Sequence, residues 1–174
     1  MSLPSNWTSA SILTCGTFIR GVTYKKQEAS TTTKPGYARI LRANNISTRN
    51  ISTEEIIYVP LKNISETQIL QSGDILIATS SGSPSVVGKA AQIKNDTDMS
   101  FGAFCGVIRP QRDLNPEYIG HFFSSKQYRD RISKLARGTN INNIKQEHFE
   151  SIKIPLAPIN EQHRIADKLD RMLA

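Results

Sequence analysis

The chain has 174 residues, 22 lysines and arginines against 15 aspartates and glutamates, and a formal net charge of +7. That length suits one domain with an appended element and excludes two full enzyme domains. With 38% hydrophobic and 21% charged residues it lacks the signature of a disordered chain, and no apolar run approaches the 18 residues of a bilayer span, so the positive excess points to a soluble protein with a polyanionic partner and no membrane.

Residues 1–11 (MSLPSNWTSAS) contain no charged-then-apolar signal sequence, and Cys15 and Cys105 lie far apart outside any CxxC. Both read as reduced, buried thiols of a cytoplasmic protein. Strands are expected at 37–46, 56–59 (ended by Pro60), 73–79 with Ile75 and Ile77 on one face, 88–93 and 103–108. The pattern turns helical at Asn115-Pro116-Glu117, with Asn as cap, Pro at the first helical position and an acid in the first turn. Tyr118, Ile119, Phe122 and Phe123 form an apolar stripe. Ser124-Ser125 offers a second cap ahead of Tyr128, Ile132 and Leu135, and Gly138 stops that helix. A polar loop at 139–145 leads to a short strand at Ile152 and Ile154. A last helix opens at Pro158-Ile159 with Asn160 as cap, and Ile165, Leu169 and Met172 follow at coiled-coil spacing. That helix either packs on its own domain or meets another subunit.

Catalytic patterns fail on spacing. The histidines His121, His148 and His163 have no Cys cluster beside them, so no zinc site is expected. Residues 82–89 (GSPSVVGK) place five residues, not four, before Gly-Lys, and Ala90 follows where a phosphate loop needs a hydroxyl. Asn115-Pro116-Glu117-Tyr118 lacks the second proline of an amino-methyltransferase motif, and Glu150-Ser151-Ile152-Lys153 lacks a nuclease's acidic partner. Binding remains. Four polar-basic clusters fall near element ends: Arg20, Tyr24, Lys25 and Lys26; Arg42, Asn44 and Asn45; Ser81 and Lys89; Arg137, Thr139, Asn140 and Asn143. Arg and Lys neutralise phosphates, while Arg reads guanine and Asn adenine edges. Arg42, Asn44, Asn45 and Asn140 are the expected base readers, and Lys25, Lys26 and Lys89 the expected phosphate contacts.

Residues 138–165 (GTNINNIKQEHFESIKIPLAPINEQHRI) closely resemble the end of a target-recognition domain in the DNA specificity subunit of type I restriction-modification systems. The family's closing run stands here as Ile154, Pro155, Leu156, Pro158, Ile159, Glu161, Gln162 and Ile165. Trp7, Arg20-Gly21-Val22-Thr23-Tyr24, Leu41 to Ile46, Gly73 to Ile77, Gly88-Lys89, Asn115-Pro116 and Ala136 to Thr139 fall in the family's order. Two departures stand out. The segment after Trp7 is more polar than the family's leucine-rich first strand. The helix from Glu161 reaches only about 21 Å at 1.5 Å per residue, short of a full connector, so the chain reads as half a subunit, a fragment or a short natural form.

The resemblance implies an α+β domain, with a curved, mostly antiparallel sheet and flanking helices, over residues 1–158. The start of a connector or dimerisation helix follows at 159–174, with Ile165, Leu169 and Met172 at a subunit interface. It further implies a non-catalytic subunit that reads one half of a bipartite duplex DNA site. Methyltransferase (modification) and restriction subunits would carry S-adenosylmethionine, ATP and magnesium, and a second recognition domain or a second copy would read the other half. Two alternatives stay open: the recognition end of a fused restriction-methylation enzyme, and a protein-interaction module.

Overall fold

A computed structural model describes residues 3–47, 49–138 and 141–173. The chain begins with β1 (Thr8–Ser11), a single helical turn α1 (Ile12–Cys15) and β2 (Gly16–Arg20). Then come β3 (Tyr37–Leu41), β4 (Ile57–Pro60), β5 (Ile75–Ala78), β6 (Ser80–Ser81), β7 (Ala90–Gln92), β8 (Ser100–Phe101) and β9 (Cys105–Pro110). The last third holds α2 (Pro116–Phe123), α3 (Lys126–Leu135), β10 (Asn142–Asn143), α4 (Gln146–Ser151), β11 (Lys153–Leu156) and α5 (Ile159–Leu173). The fold is α+β. Its strands form an antiparallel sheet ordered β2-β9-β5-β7, a second sheet β4-β3-β8 whose β3–β8 pair is parallel, and two antiparallel pairs, β1–β11 and β6–β10.

β5 sits at the centre because its sequence, Ile-Leu-Ile-Ala, is apolar on both faces. Alternate side chains point opposite ways. Ile75 and Ile77 join Ile108 and the aromatic stripe of α2 in one core, while Leu76 and Ala78 join Val107, Phe101 and Leu41 in another. The stripe is buried as its spacing predicts, and Phe123 packs on Tyr128 with ring centroids 4.7 Å apart. Asn115 Oδ1 accepts the Tyr118 N–H at 2.7 Å and Ser125 Oγ accepts the Tyr128 N–H at 3.2 Å, so both expected caps form. Cys15 and Cys105 are buried, unpaired thiols. Burial, with the Asp113 charge adding, pushes Cys15 up to about 11, and burial pushes Cys105 up to about 12.

Four local expectations are corrected. The strand from Tyr37 ends at Leu41, because residues 43–45 turn into a 3-10 segment held by Asn45. Asn160 does not cap α5. The helix starts one residue earlier, and the Pro158 carbonyl accepts the N–H groups of Glu161 and Gln162. α3 ends at Leu135, ahead of Gly138; Gly138 is needed for a close approach, since a Cβ there would lie 2.2 Å from the Ile141 carbonyl oxygen. The polar segment before Phe149 contains β10 and leads straight into α4.

The two ends of the chain close on each other, and the closing run explains its own composition. β1 pairs with β11 along four residues. The Trp7 indole N–H donates to Glu161 Oε2 at 3.2 Å. Gln162, 3% exposed, accepts the Asn115 N–H at 3.1 Å and donates to the Ala157 carbonyl at 2.8 Å, and the Tyr118 hydroxyl donates to the Pro155 carbonyl at 2.7 Å. His121 Nε2 lies 2.9 Å from Asp170, tying α2 to α5 further along. Ile165 packs on the domain's own core beside the buried Ala166, and Leu169 is half-buried. Met172 and Leu173 at the last turn stay open to solvent. The described helices include none long and apolar enough to cross a membrane.

Candidate nucleic-acid interface

A polar cleft of about 440 Å³ opens where β2 ends, β5 leaves the sheet and β10 leads into α4. Backbone bonds fix its walls. The Gly21 N–H donates to the Cys105 carbonyl at 3.2 Å and the Val22 N–H to the Phe101 carbonyl at 2.8 Å. Glycine is required at 21, since a Cβ would stand 2.0 Å from the Gly102 carbonyl oxygen. The Ile144 N–H donates to the Thr79 carbonyl at 2.7 Å and the Asn143 N–H to the Ala136 carbonyl at 3.0 Å, holding residues 143–144 against the sheet end and the end of α3. Phe18, Cys105 and Ile144 contribute apolar lining; Arg20, Thr23, Thr79, Asn143, Lys145, Gln146 and Glu147 contribute polar lining.

Of the expected binding residues, Arg20 and Asn143 meet in this cleft although 123 positions separate them (143 − 20). Ser81 is close by: β6 pairs with β10, and Ser81 Oγ accepts the Ser83 N–H at 3.1 Å. Lys89 lies at the same end of the sheet, its carbonyl accepting the Ala78 N–H at 2.9 Å, with its side chain half-buried. Arg129 braces the preceding loop, donating to the Val87 and Ser85 carbonyls at 2.6 and 3.2 Å. Arg137 is exposed just past α3. Lys25 and Lys26 are exposed on a turn in which Glu28 accepts the Lys25 N–H at 2.9 Å. Thr139 and Asn140 lie outside the described residues.

Tyr24, Arg42 and Asn44 form a separate group. Arg42 is half-buried, donating to the Glu55 carbonyl at 2.8 Å, and its Nε is buried without a partner among the described residues. Asn44 is exposed and donates to the Glu55 carboxylate at 3.2 Å. Burial raises the Tyr24 hydroxyl above its ordinary pKa and the nearby Arg42 cation opposes this, so Tyr24 remains a protonated donor at neutral pH.

Asn45 is a correction. It is 2% exposed; its Oδ1 accepts the Arg42 N–H at 2.8 Å and its Nδ2 donates to the Glu54 carbonyl at 2.7 Å. It shapes the loop that carries Arg42 and Asn44 and does not face a ligand.

Sequence reasoning missed Thr23, Thr79, Lys145 and Gln146. Lys145 and Gln146 stand at the edge of the polar run before α4, which was the available signal. Thr79 carries none, being a strand end whose backbone happens to join two loops. At the α4 start the Lys145 N–H donates to His148 Nδ1 at 3.2 Å, and Lys145 Nζ lies 3.5 Å from Glu147. Burial lowers the His148 pKa; the neighbouring Glu147 opposes this and Lys145 adds to it. No group of residues able to hold a metal ion occurs among the described residues.

A concave, rigidly framed surface bearing Arg, Lys, Asn and Gln suits hydrogen bonding to phosphates and base edges. Residues 4–174 match the family model described as the type I restriction modification DNA specificity domain. The chain is 47% identical over 172 residues to the type I restriction enzyme StySPI specificity subunit of Salmonella potsdam. It is equally similar to the EcoKI specificity subunit of Escherichia coli strain K12. Both alignments cover 99% of this chain, which spans 37% of the length of each relative. Two solved structures share the fold at 18% identity. One, from work on complex assembly and conformational transition of the type I R-M system, has a TM-score of 0.74 over 99% of this chain and 40% of its own. The other, the HsdS subunit from Thermoanaerobacter tengcongensis, has a TM-score of 0.73 over 99% and 39%.

Proposed function

Because the chain belongs to the type I restriction modification DNA specificity domain family, we propose that it reads one half of a bipartite duplex DNA target and performs no chemistry itself. The observation that carries this reading is the cleft at which Arg20, Asn143, Lys145 and Gln146 converge from distant parts of the sequence. Arg20, Asn143 and Gln146 are the base-edge readers of that wall. Lys145, Lys25, Lys26, Lys89 and Arg137 attract the phosphate backbone, and Tyr24, Arg42, Asn44 and Ser81 extend the contact along the duplex. Thr139 and Asn140 belong to the same α3–β10 connection in sequence and retain the DNA role expected of them.

The modification subunits it directs would supply S-adenosylmethionine and methylate adenine, and a restriction subunit would add ATP- and magnesium-dependent translocation and cleavage, all in the cytoplasm. Ile165, seated on the domain's own core, anchors the exposed last turn of α5 from below, and that turn, with Met172 and the half-buried Leu169, meets another helix. That helix comes from a second recognition domain or a second copy, which reads the other half-site.

The test is methylation mapping in a host that carries this chain with its modification subunit, followed by salt-dependent binding to a duplex bearing the mapped motif. With about four to six phosphates neutralised, log K falls against log salt with a slope of about −4 to −5. A flat salt response, or no motif in the map, overturns the reading.

A further inference from the structure

Phe104 is 69% exposed, at the tip of the turn between β8 and β9, while its strand neighbours Phe101, Cys105 and Val107 are buried. Isolated apolar residues on a surface are ordinary; the setting of this one is not. Its backbone is fixed at both sides. The Phe104 carbonyl accepts the N–H groups of Thr79 at 2.9 Å and Ser80 at 3.2 Å, the Cys105 N–H closes the turn on the Gly102 carbonyl at 2.8 Å, and the Gly102 N–H donates to the Leu41 carbonyl at 2.9 Å. Its immediate neighbours Ala103 and Cys105, and its partner Thr79, line the cleft that holds Arg20, Asn143 and Gln146. A rigid turn therefore carries a large, exposed apolar side chain between two residues, Ala103 and Cys105, that line the cleft of Arg20, Asn143 and Gln146.

Those three match the donor and acceptor pattern of the DNA major groove, Arg for guanine and Asn or Gln for adenine. The apolar feature of that groove is the C5 methyl of thymine, which takes contacts from side chains such as Phe. We propose that Phe104 is a specificity-determining residue that packs on a thymine methyl within the half-site. The inference rests on the DNA-reading role above and adds a base preference to it.

Removing the methyl while keeping the base pair isolates the contact. Duplexes carrying the mapped motif are prepared with each half-site thymine replaced in turn by deoxyuridine, and their Kd is measured with the chain in complex with its modification subunits. At one position the wild-type complex loses about fourfold in affinity, the worth of one buried methyl group. Phe104→Ala loses at least as much on the natural duplex and no longer responds to deoxyuridine at that position, whereas Phe104→Leu keeps part of the response. Thermal unfolding of the exposed-site variants matches wild type.

Three results overturn the proposal and leave the DNA-reading role standing: a half-site with no thymine, wild-type binding indifferent to every deoxyuridine, or a Phe104→Ala complex that keeps wild-type affinity and sensitivity. A variant that fails to assemble with the modification subunit also overturns it, making Phe104 a protein contact. Absence of motif-specific binding by the wild-type complex is a different outcome, which removes the DNA-reading role itself.

Discussion

Asn45→Ala separates a structural residue from a base reader. Asn45 makes two side-chain hydrogen bonds, to the Arg42 N–H at 2.8 Å and the Glu54 carbonyl at 2.7 Å, and its own carbonyl accepts the Ser52 N–H at 2.8 Å. Truncation removes both side-chain bonds, worth about 1 kcal/mol each. It also strands the partly buried Arg42 N–H, adding about 1 kcal/mol, whereas the Glu54 carbonyl belongs to an exposed residue and regains water. The expected loss is about 2–3 kcal/mol. In urea titration with an m-value of about 2 kcal/mol/M, that moves the midpoint down by about 1–1.5 M with the slope unchanged. Asn44→Ala, at an exposed position with one solvent-facing bond, shifts it by less than about 0.3 M. A midpoint unchanged in Asn45→Ala, together with lost DNA specificity, refutes the assignment and returns Asn45 to the binding surface.

Asp74 is 1% exposed and takes the Arg109 guanidinium through two 2.8 Å bonds plus the Gln71 N–H at 2.9 Å. That hydrogen bonding holds the Arg109 pKa above its ordinary value. Asp74→Ala strands a partly buried cation, costing about 3 kcal/mol, the low end for a buried pair because Arg109 retains some solvent. At about 2–4 °C per kcal/mol the melting temperature drops by about 6–12 °C, and Asp74→Ala/Arg109→Met recovers part of it; no recovery sinks the ion-pair argument.

His148 predicts an acid-sensitive step. Its folded pKa lies below 6.5, so the unfolded chain binds more protons as pH falls, and stability declines from about 6.5 downward through the folded value. Protonated Nδ1 also cannot accept the Lys145 N–H that starts α4. His148→Gln supplies an acceptor that does not titrate, so it flattens this part of the stability–pH curve, measured by urea titration between pH 5 and 8; an unchanged curve contradicts the assignment.

The helical third was legible because its signals are local. Asn115-Pro116, Ser125 and the stripe at Tyr118, Ile119, Phe122 and Phe123 each act within one or two turns, and the structure places them as their chemistry requires. The N-terminal elements were not. β1 is Thr-Ser-Ala-Ser, with no apolar alternation, and is a strand because Ile154 and its neighbours offer it an edge from the far end of the chain. Asn45 shows the same limit at the site. Its composition is that of an adenine reader, but a neighbouring turn consumes its hydrogen-bonding groups.

The sequence by itself determined a basic α+β fold, the caps and stripe of its helices, and a closing run whose Pro155, Glu161 and Gln162 match the family of DNA specificity domains. Tertiary structure alone decided which polar residues share a surface. Arg20 and Asn143 meet only because backbone hydrogen bonds between strand ends bring the loops at 20–22, 79–80 and 142–146 together. Those bonds join backbone groups that every residue type carries, so side-chain identity leaves no trace of the pairing.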